Sequence, residues 1–198
     1  MTPTLTLRRR LCAWPLLALA GCGTSPPVQL YRLRGEPPPG SAAPAPVPAG
    51  EPLQLMLPVR LPDYLDREAL LLPQGASGLL ALSGHRWAES LRDAVPRVLQ
   101  QDLAAHLGEG RVWTAPLPPG LAPGRQLRVE IGAFEIDAER HGVRLDARWT
   151  WTDAQGRTAP LARSARLRVP ASGSSIDALV DAHRLALWQL AARIAAAP

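Results

Sequence analysis

Residues 143–151 read VRLDARWTW, so apolar and polar side chains alternate strictly along this stretch. A period of two is typical of a β-strand that buries one face. Two neighbouring segments continue the pattern. Their apolar positions are Leu127, Val129, Ile131, Phe134 and Ile136 on the N-terminal side, and Leu161, Ala165, Leu167 and Val169 on the C-terminal side. With a turn at Gln155 and Gly156, the sequence predicts an antiparallel meander with one apolar and one polar face.

The first segment of this meander changes phase in its middle. Apolar residues fall on odd positions up to Ile131 and on even positions from Phe134 onward. A β-bulge that accommodates one extra residue near Gly132 would keep all of them on the same face of the sheet. The sequence therefore predicts a bulge at this point.

Two amphipathic helices are predicted on either side of the meander. The first runs from about residue 86 to 107 and ends at Gly108 and Gly110, and Pro96 is expected to kink it or to make it restart. Its apolar stripe consists of Trp87, Leu91, Val95, Val98, Leu99, Leu103 and Leu107. The last helix begins with Ser174 and Asp177 in capping-box spacing. Its stripe consists of Ile176, Leu179, Val180, His183, Leu187, Leu190, Ala191 and Ile194.

The fold class that follows is α+β, a two-layer sandwich of a mainly antiparallel sheet with both amphipathic helices on its apolar face. Shorter strands precede the meander. They are expected at residues 28–33, 53–57 and 112–113, and in a hairpin that joins 69–72 to 79–82 through a turn at 74–78. The segment 36–52 is rich in proline, alanine and glycine, so it is predicted to be a loop inside the domain.

The N-terminus has the pattern of an export signal. Arg8, Arg9 and Arg10 precede an apolar run at residues 11–20, which is too short to span a bilayer. The run ends in Leu19-Ala20-Gly21-Cys22, which resembles the lipobox of bacterial lipoproteins. The resemblance implies a signal peptide at 1–21, a covalent lipid on Cys22, a lipidated tether at 22–27 and one domain at 28–198. An ordinary signal peptide cut near Ala20, or a soluble protein with an apolar start, are the alternatives.

Composition limits the functions that the exported part can have. The net charge of +5 falls to +2 once the three signal arginines are removed, and all 22 basic residues are arginine. No clustered basic face points to nucleic acid. Cys12 leaves with the signal and Cys22 is expected to carry lipid, so no disulfide is predicted. In the lipoprotein pattern, Gly23 stands where an inner-membrane retention signal would have aspartate, so the outer membrane is the expected location.

Motifs that would indicate catalysis are missing from the sequence. It contains no nucleophile elbow, no His-x-x-x-His pair, no phosphate-binding loop and no dinucleotide fingerprint. His85, His106, His141 and His183 are scattered over different predicted elements, and we interpret His183 as a hydrogen-bonded, partly buried core residue. We therefore expect a protein that is not an enzyme and has no metal or cofactor besides its lipid.

A more specific pattern lies in residues 58–67, PVRLPDYLDR, and in residues 86–91, RWAESL. Together with residues 31–33 and 147–149, this pattern resembles the ABC-type transport auxiliary lipoproteins of the PqiC/YmbA type. The residues that stand out are Asp63, Tyr64, Asp66, Arg67, Arg86, Trp87 and Glu89. They are either a shaped turn that holds Tyr64 and Leu65 in the core or a contact for a partner. A local ion pair among Asp63, Asp66 and Arg67 is a further alternative.

The resemblance implies a docking or receiving subunit at the outer membrane for an intermembrane lipid transport system. Its expected partners are an MCE-domain protein, the ABC permease and ATPase, the membrane itself, and further copies of the chain. A regulator of an envelope enzyme and a lipid-carrying periplasmic protein are the alternatives. The polar sheet face is expected to be solvated or to meet an acidic partner or phospholipid head groups through Arg144, Arg148, Arg166 and Arg168.

Overall fold

The computed structural model describes residues 27–41, 44 and 50–196, and the signal peptide, Cys22 and most of the tether lie outside these residues. Two helices and two sheets make up the described part. The strands are β1 (Gln29–Tyr31), β2 (Leu53–Leu55), β3 (Ala69–Gln74), β4 (Gly78–Trp87), β5 (Val112–Trp113), β6 (Arg125–Ile136), β7 (Gly142–Asp153) and β8 (Leu161–Pro170), and the helices are α1 (Leu91–Leu107) and α2 (Ile176–Ala195). The predicted α+β class is therefore confirmed.

The meander forms the body of a five-stranded sheet with the order β5-β2-β6-β7-β8. β6, β7 and β8 pair antiparallel, with Val129 opposite Trp149 and Ala147 opposite Ala165. The register shifts between Ile131 and Ala133, so the predicted bulge is confirmed. β2 pairs in parallel with both β6 and β5, because the hairpin and α1 carry the chain across before it returns.

Three of the strands upstream of the meander form a second sheet, where the sequence predicted only one. Its order is β1-β4-β3, with β1 parallel and β3 antiparallel to β4. The hairpin was predicted correctly. The sequence did not predict that the hairpin lies in a separate sheet. The choice of strand partners depends on tertiary packing, which produces no periodic pattern in the sequence.

The start of the first helix differs from the prediction. Ser90 caps α1 by accepting a hydrogen bond from the amide of Asp93, and the chain before it is strand, so Trp87 belongs to β4. An apolar residue four positions before Leu91 fits a helical stripe and a buried strand end equally well. Pro96 lies inside a single helix, so of the two predicted outcomes the restart does not occur and the kink stays a prediction.

The last helix begins one residue later than the capping box suggested. Ser175 caps α2 by accepting from the amide of Ala178, so the predicted cap at Ser174 is wrong. Either serine can accept this bond, and the helix starts where Ile176 packs against the core. α2 lies on β6, β7 and β8, while α1 packs against α2 and β5.

A buried ion pair connects the two helices. The guanidinium of Arg184 donates from Nη1 to Oδ2 of Asp102 at 2.8 Å and from Nη2 to Oδ1 at 2.6 Å. Nη2 also donates to the carbonyl of Glu36 at 2.9 Å. Both side chains are almost fully buried. Burial raises the pKa of Asp102 to about 6, although the guanidinium beside it favours the carboxylate.

Replacement of Arg184 by methionine should leave the carboxylate of Asp102 buried without its partner. We expect the free energy of unfolding, measured by urea denaturation, to fall by about 3–5 kcal/mol. The matched control is Arg148→Met, which breaks an exposed pair with Glu130 and should cost less than about 1 kcal/mol. The double variant Asp102→Leu with Arg184→Met should recover much of the loss. Equal effects of the two single variants would contradict a structural role for the buried pair.

Candidate functional site

The turn that follows β2 places Tyr64 and Leu65 in the domain. Asp63–Leu65 forms one turn of 3-10 helix, in which Leu65 is buried. The hydroxyl of Tyr64 donates to Oε2 of Glu135 at 2.8 Å, on the strand β6. Burial, followed by this hydrogen bond and the charge of Glu135, raises the pKa of Tyr64 above its ordinary value. The tyrosine is therefore a neutral hydroxyl that fixes the turn to the sheet.

The acidic residues of this turn pair with a helix and not with Arg67. A side-chain nitrogen of Arg92 on α1 lies 2.9 Å from Oδ2 of Asp66 and 3.9 Å from Oδ1 of Asp63. Of the alternatives for this turn, the local ion pair with Arg67 is therefore not the one that forms, since both carboxylates lie near Arg92 and Arg67 is exposed. These contacts are exposed, so each stabilises the fold by at most about 1 kcal/mol.

The two halves of the sequence pattern meet at Glu68. The backbone N–H of Trp87 donates to the carbonyl of Glu68 at 2.6 Å. The side chain of Glu68 lies 3.3 Å from a guanidinium nitrogen of Arg86. On the other side of β4, the N–H of Ala88 donates to the carbonyl of Tyr31 at 2.7 Å. Arg86 and Trp87 therefore join the end of β4 to Glu68, the residue before β3.

Trp87 is buried between this sheet and α2. Its ring meets that of His183 edge to face, with centroids 5.5 Å apart, and Phe134 meets the same imidazole from another side at 4.8 Å. The Nδ1 atom of His183 donates to the carbonyl of Leu179 at 2.8 Å, since a carbonyl can only accept. Burial lowers the pKa of His183 to about 4. The imidazole is therefore a neutral packing element at neutral pH.

A cavity beside these residues measures about 20 Å³, and Tyr64, Trp87, Phe134 and His183 line part of it. This volume is enough for one water molecule and far too small for an acyl chain. Of the two interpretations of the pattern, the geometry favours the shaped, structural turn over a binding pocket.

The remaining motif residue, Glu89, borders a larger concavity. Its carboxylate pairs with Arg97 of α1, which also donates to the carbonyl of Leu33 at 3.3 Å. The concavity is an open groove of about 1010 Å³ between the segment after β1 and the exposed side of α1. Asp102 contributes to its lining, so the buried pair with Arg184 supports the groove from below.

Charged and aromatic side chains line the groove. Arg32 and Arg34 lie exposed in the segment after β1, and Glu109 lies exposed beyond the end of α1. Trp113 lies at its β5 side, where the indole N–H donates to the carbonyl of Gly110 at 2.8 Å. Neither Asp102 nor Arg184 was singled out in the sequence. Asp102 could have been recognised from its position, because a carboxylate three residues after Leu99 and next to Leu103 lies at the edge of the apolar stripe of α1.

The polar face of the five-stranded sheet is partly neutralised. Arg144 pairs with Glu135 at 2.8 Å and Arg148 pairs with Glu130 at 3.1 Å, both across the β6–β7 ladder. Arg166 lies opposite Asp146 in the register, whereas Arg168 lies opposite Arg144. Arg144 and Arg148 are therefore paired within the sheet, which favours the solvated interpretation for these two arginines.

Within the described residues, no group of three or more histidine, cysteine, aspartate or glutamate side chains is arranged to hold a metal ion. No helix in the same part of the chain has both the length and the apolar character needed to cross a membrane. Cys22 lies outside the described residues, so its lipidation stays a prediction.

Comparison with known proteins adds a family and a fold. The sequence model of a family described as the ABC-type transport auxiliary lipoprotein component matches residues 31–195. A search of curated proteins finds no match. Among solved structures, an uncharacterized protein has a TM-score of 0.66 at 18% identity, with 86% of this chain and 97% of that chain covered. A protein from Xanthomonas campestris has a TM-score of 0.64 at 16% identity, with 85% and 93% covered. Because both identities are below 25%, these two comparisons show a shared fold alone.

Truncation of Trp87 to alanine should destabilise the domain, because it removes a buried ring that contacts His183. We expect a loss of about 3–5 kcal/mol in the free energy of unfolding and a lower melting temperature. Trp113→Ala, at the half-buried edge strand, is the control and should cost much less. An unchanged melting temperature for Trp87→Ala, together with loss of partner binding, would show that Trp87 is a contact residue.

Acidification should unfold the protein partly through His183. Its pKa is about 4 when folded and 6.5 in the unfolded reference, so between these values the unfolded chain binds more protons. The contribution of neutral His183 to the free energy of unfolding is fully present above pH 6.5. It is lost as the pH falls toward 4, and the total loss is about 3 kcal/mol.

The test compares the pH dependence of unfolding in the wild type and in His183→Asn, whose side-chain amide can replace the bond to Leu179. Asp102 titrates in the same range with the opposite sign, because its folded pKa is raised. It is present in both proteins, so its contribution cancels in the difference. Parallel pH profiles for the two proteins would refute the assignment.

Proposed function

Because the chain belongs to the family of ABC-type transport auxiliary lipoprotein components, matched over residues 31–195, we propose that it is the non-catalytic lipoprotein subunit of an MCE/ABC-type intermembrane lipid transport system. In this role it docks or receives the transport assembly at the outer membrane. The ATP-hydrolysing work belongs to the ABC transporter, and the lipid-binding work belongs to the MCE-domain protein.

The proposed anchor is a lipid on Cys22. The basic segment, the apolar run and the small residues before Cys22 support it. Several acyl chains hold a protein stably on a bilayer, whereas one chain alone binds only marginally. Gly23 after the cysteine supports the outer membrane as the location.

The observation that carries the proposal, besides the family, is the filled interior of the described domain. The cavity at the motif holds about one water, and Trp149 and Trp151 fill the apolar side of the sheet. A protein that carried a lipid inside itself would need an enclosed apolar space. A docking subunit needs an exposed surface of fixed shape, and this favours docking over carriage.

We assign the docking surface to the groove between α1 and the segment after β1. It is larger than the cavity beside Tyr64, it is open, and it presents charges of both signs at Arg32, Arg34 and Glu109. Its floor is held by the Asp102–Arg184 pair, so little conformational entropy is lost when a partner binds.

Replacement of Cys22 by alanine should abolish lipidation and leave an uncleaved or miscleaved precursor. Intact mass spectrometry of the protein and fractionation of the cell envelope measure both effects. Gly23→Ala is the control and should be processed normally. A Cys22→Ala protein that is still lipidated and still fractionates with the outer membrane would disprove the anchor.

Docking can be tested with a photo-crosslinking amino acid at Glu109, at the groove, and at Ser164, on the polar face of β8. After irradiation of cells, the lipidated protein is purified and its crosslinked partners are identified by mass spectrometry. We expect an MCE-domain protein or an ABC permease to be captured from position 109 and not from position 164. Capture of cell-wall enzymes would support the regulator, and recovery of stoichiometric lipid with no protein would support the carrier.

A further inference from the structure

Exposed apolar side chains are concentrated on one of the two sheets. In the described part of the chain, the large apolar residues that remain exposed are Val28, Leu30, Leu57, Leu79 and Leu80. All of these except Leu57 belong to the three-stranded sheet or directly precede it. Scattered single exposures are ordinary, but a concentration on one small sheet indicates a surface that meets an apolar environment.

The β3–β4 hairpin that carries two of them is uncharged over most of its length. From Ala69 to Gly84 the sequence contains no acidic, basic or histidine residue, although 20% of the whole chain is charged. Leu79 and Leu80 lie near the tip, where they are 43% and 42% exposed. Since they are adjacent in a strand, they point to opposite faces of the hairpin. A flat protein partner would cover one of them, whereas a bilayer surrounds an inserted tip and covers both.

The start of β1 lies beside the β3–β4 hairpin. β1 runs parallel to β4, and the carbonyl oxygen of Pro27 lies 3.7 Å from where a Cβ on Gly84 would be. Leu79 is five residues before Gly84 along β4, which corresponds to about 17 Å. Cys22 is five residues before Pro27 in the sequence, and an extended chain of that length also spans about 17 Å. The length of chain between the proposed anchor and Pro27 is therefore similar to the distance from Gly84 to the hairpin tip.

We infer that the tip of the β3–β4 hairpin, with Leu79 and Leu80, inserts into the boundary between head groups and acyl chains of the bilayer that holds the lipid on Cys22. This inference rests on the proposed lipidation. Leu30 lies beside Arg86 in the β1–β4 register, so an apolar and a cationic side chain stand together at the base of the hairpin. Arg86 pairs with Glu68, so its charge is partly balanced.

The test uses the full chain, processed in cells, purified and reconstituted in phosphatidylethanolamine and phosphatidylglycerol vesicles. Leu79→Cys and Leu57→Cys are each labelled with an environment-sensitive fluorophore, and quenching by lipids with a shallow nitroxide is measured. Leu57 is the matched control, because it is the same residue type, is 45% exposed and follows β2 of the other sheet. Leu80→Cys serves as a second probe if Leu79→Cys misfolds.

We expect a blue-shifted emission and severalfold stronger quenching at position 79 than at position 57. Equal, weak quenching at both positions would overturn the inference. A blue shift at position 79 that depends on protein concentration, without quenching by the nitroxide lipid, would also overturn it, because that result indicates contact with a second copy of the chain. The unsubstituted protein is treated with the same reagent. If the unsubstituted protein takes up label, Cys22 is free and the proposed anchor fails. If it takes up no label but the fluorophore at position 79 is not quenched, only the insertion of the hairpin is contradicted.

Discussion

The buried pair between Asp102 and Arg184 is the constraint on which the rest of the structure depends. It joins α1 to α2, and the same guanidinium donates to the carbonyl of Glu36 in the segment that follows β1. A charge in the interior is tolerated only while its partner and its hydrogen bonds are in place. The two helices and the N-terminal segment must therefore stay together, because separating any of them leaves a buried charged group without one of its partners.

That constraint explains why the residues of the sequence pattern are structural. Once α2 is fixed, His183 presents a neutral ring to Trp87 and Phe134, and Trp87 in turn sets where β4 ends. Tyr64 closes the other side through Glu135. The pattern is thus a set of contacts among the two sheets, α1 and α2, and these contacts stabilise one shape of the domain.

Such a rigid domain suits a protein that acts through its outer surfaces. The N-terminal segment connects the two surfaces that we assign, because β1 contributes the exposed Leu30 and the residues just after it form one side of the groove. A few residues therefore separate the strand that we assign to the bilayer from the groove that we assign to docking. With both assignments, one domain would face the membrane and a protein partner at the same time.

The sequence by itself determined the meander, its bulge near Gly132 and both helices, because these follow from periodicities of two and of three to four that are local in the chain. It also singled out Tyr64 and Trp87, but it could not say what they touch. Only the tertiary structure decided that the strands form two sheets, that Tyr64 meets Glu135, 71 positions away, and that Asp102 meets Arg184, 82 positions away. The physical reason is that a hydrogen bond or an ion pair depends on distance in space, and residues so far apart carry no local pattern that identifies them as partners.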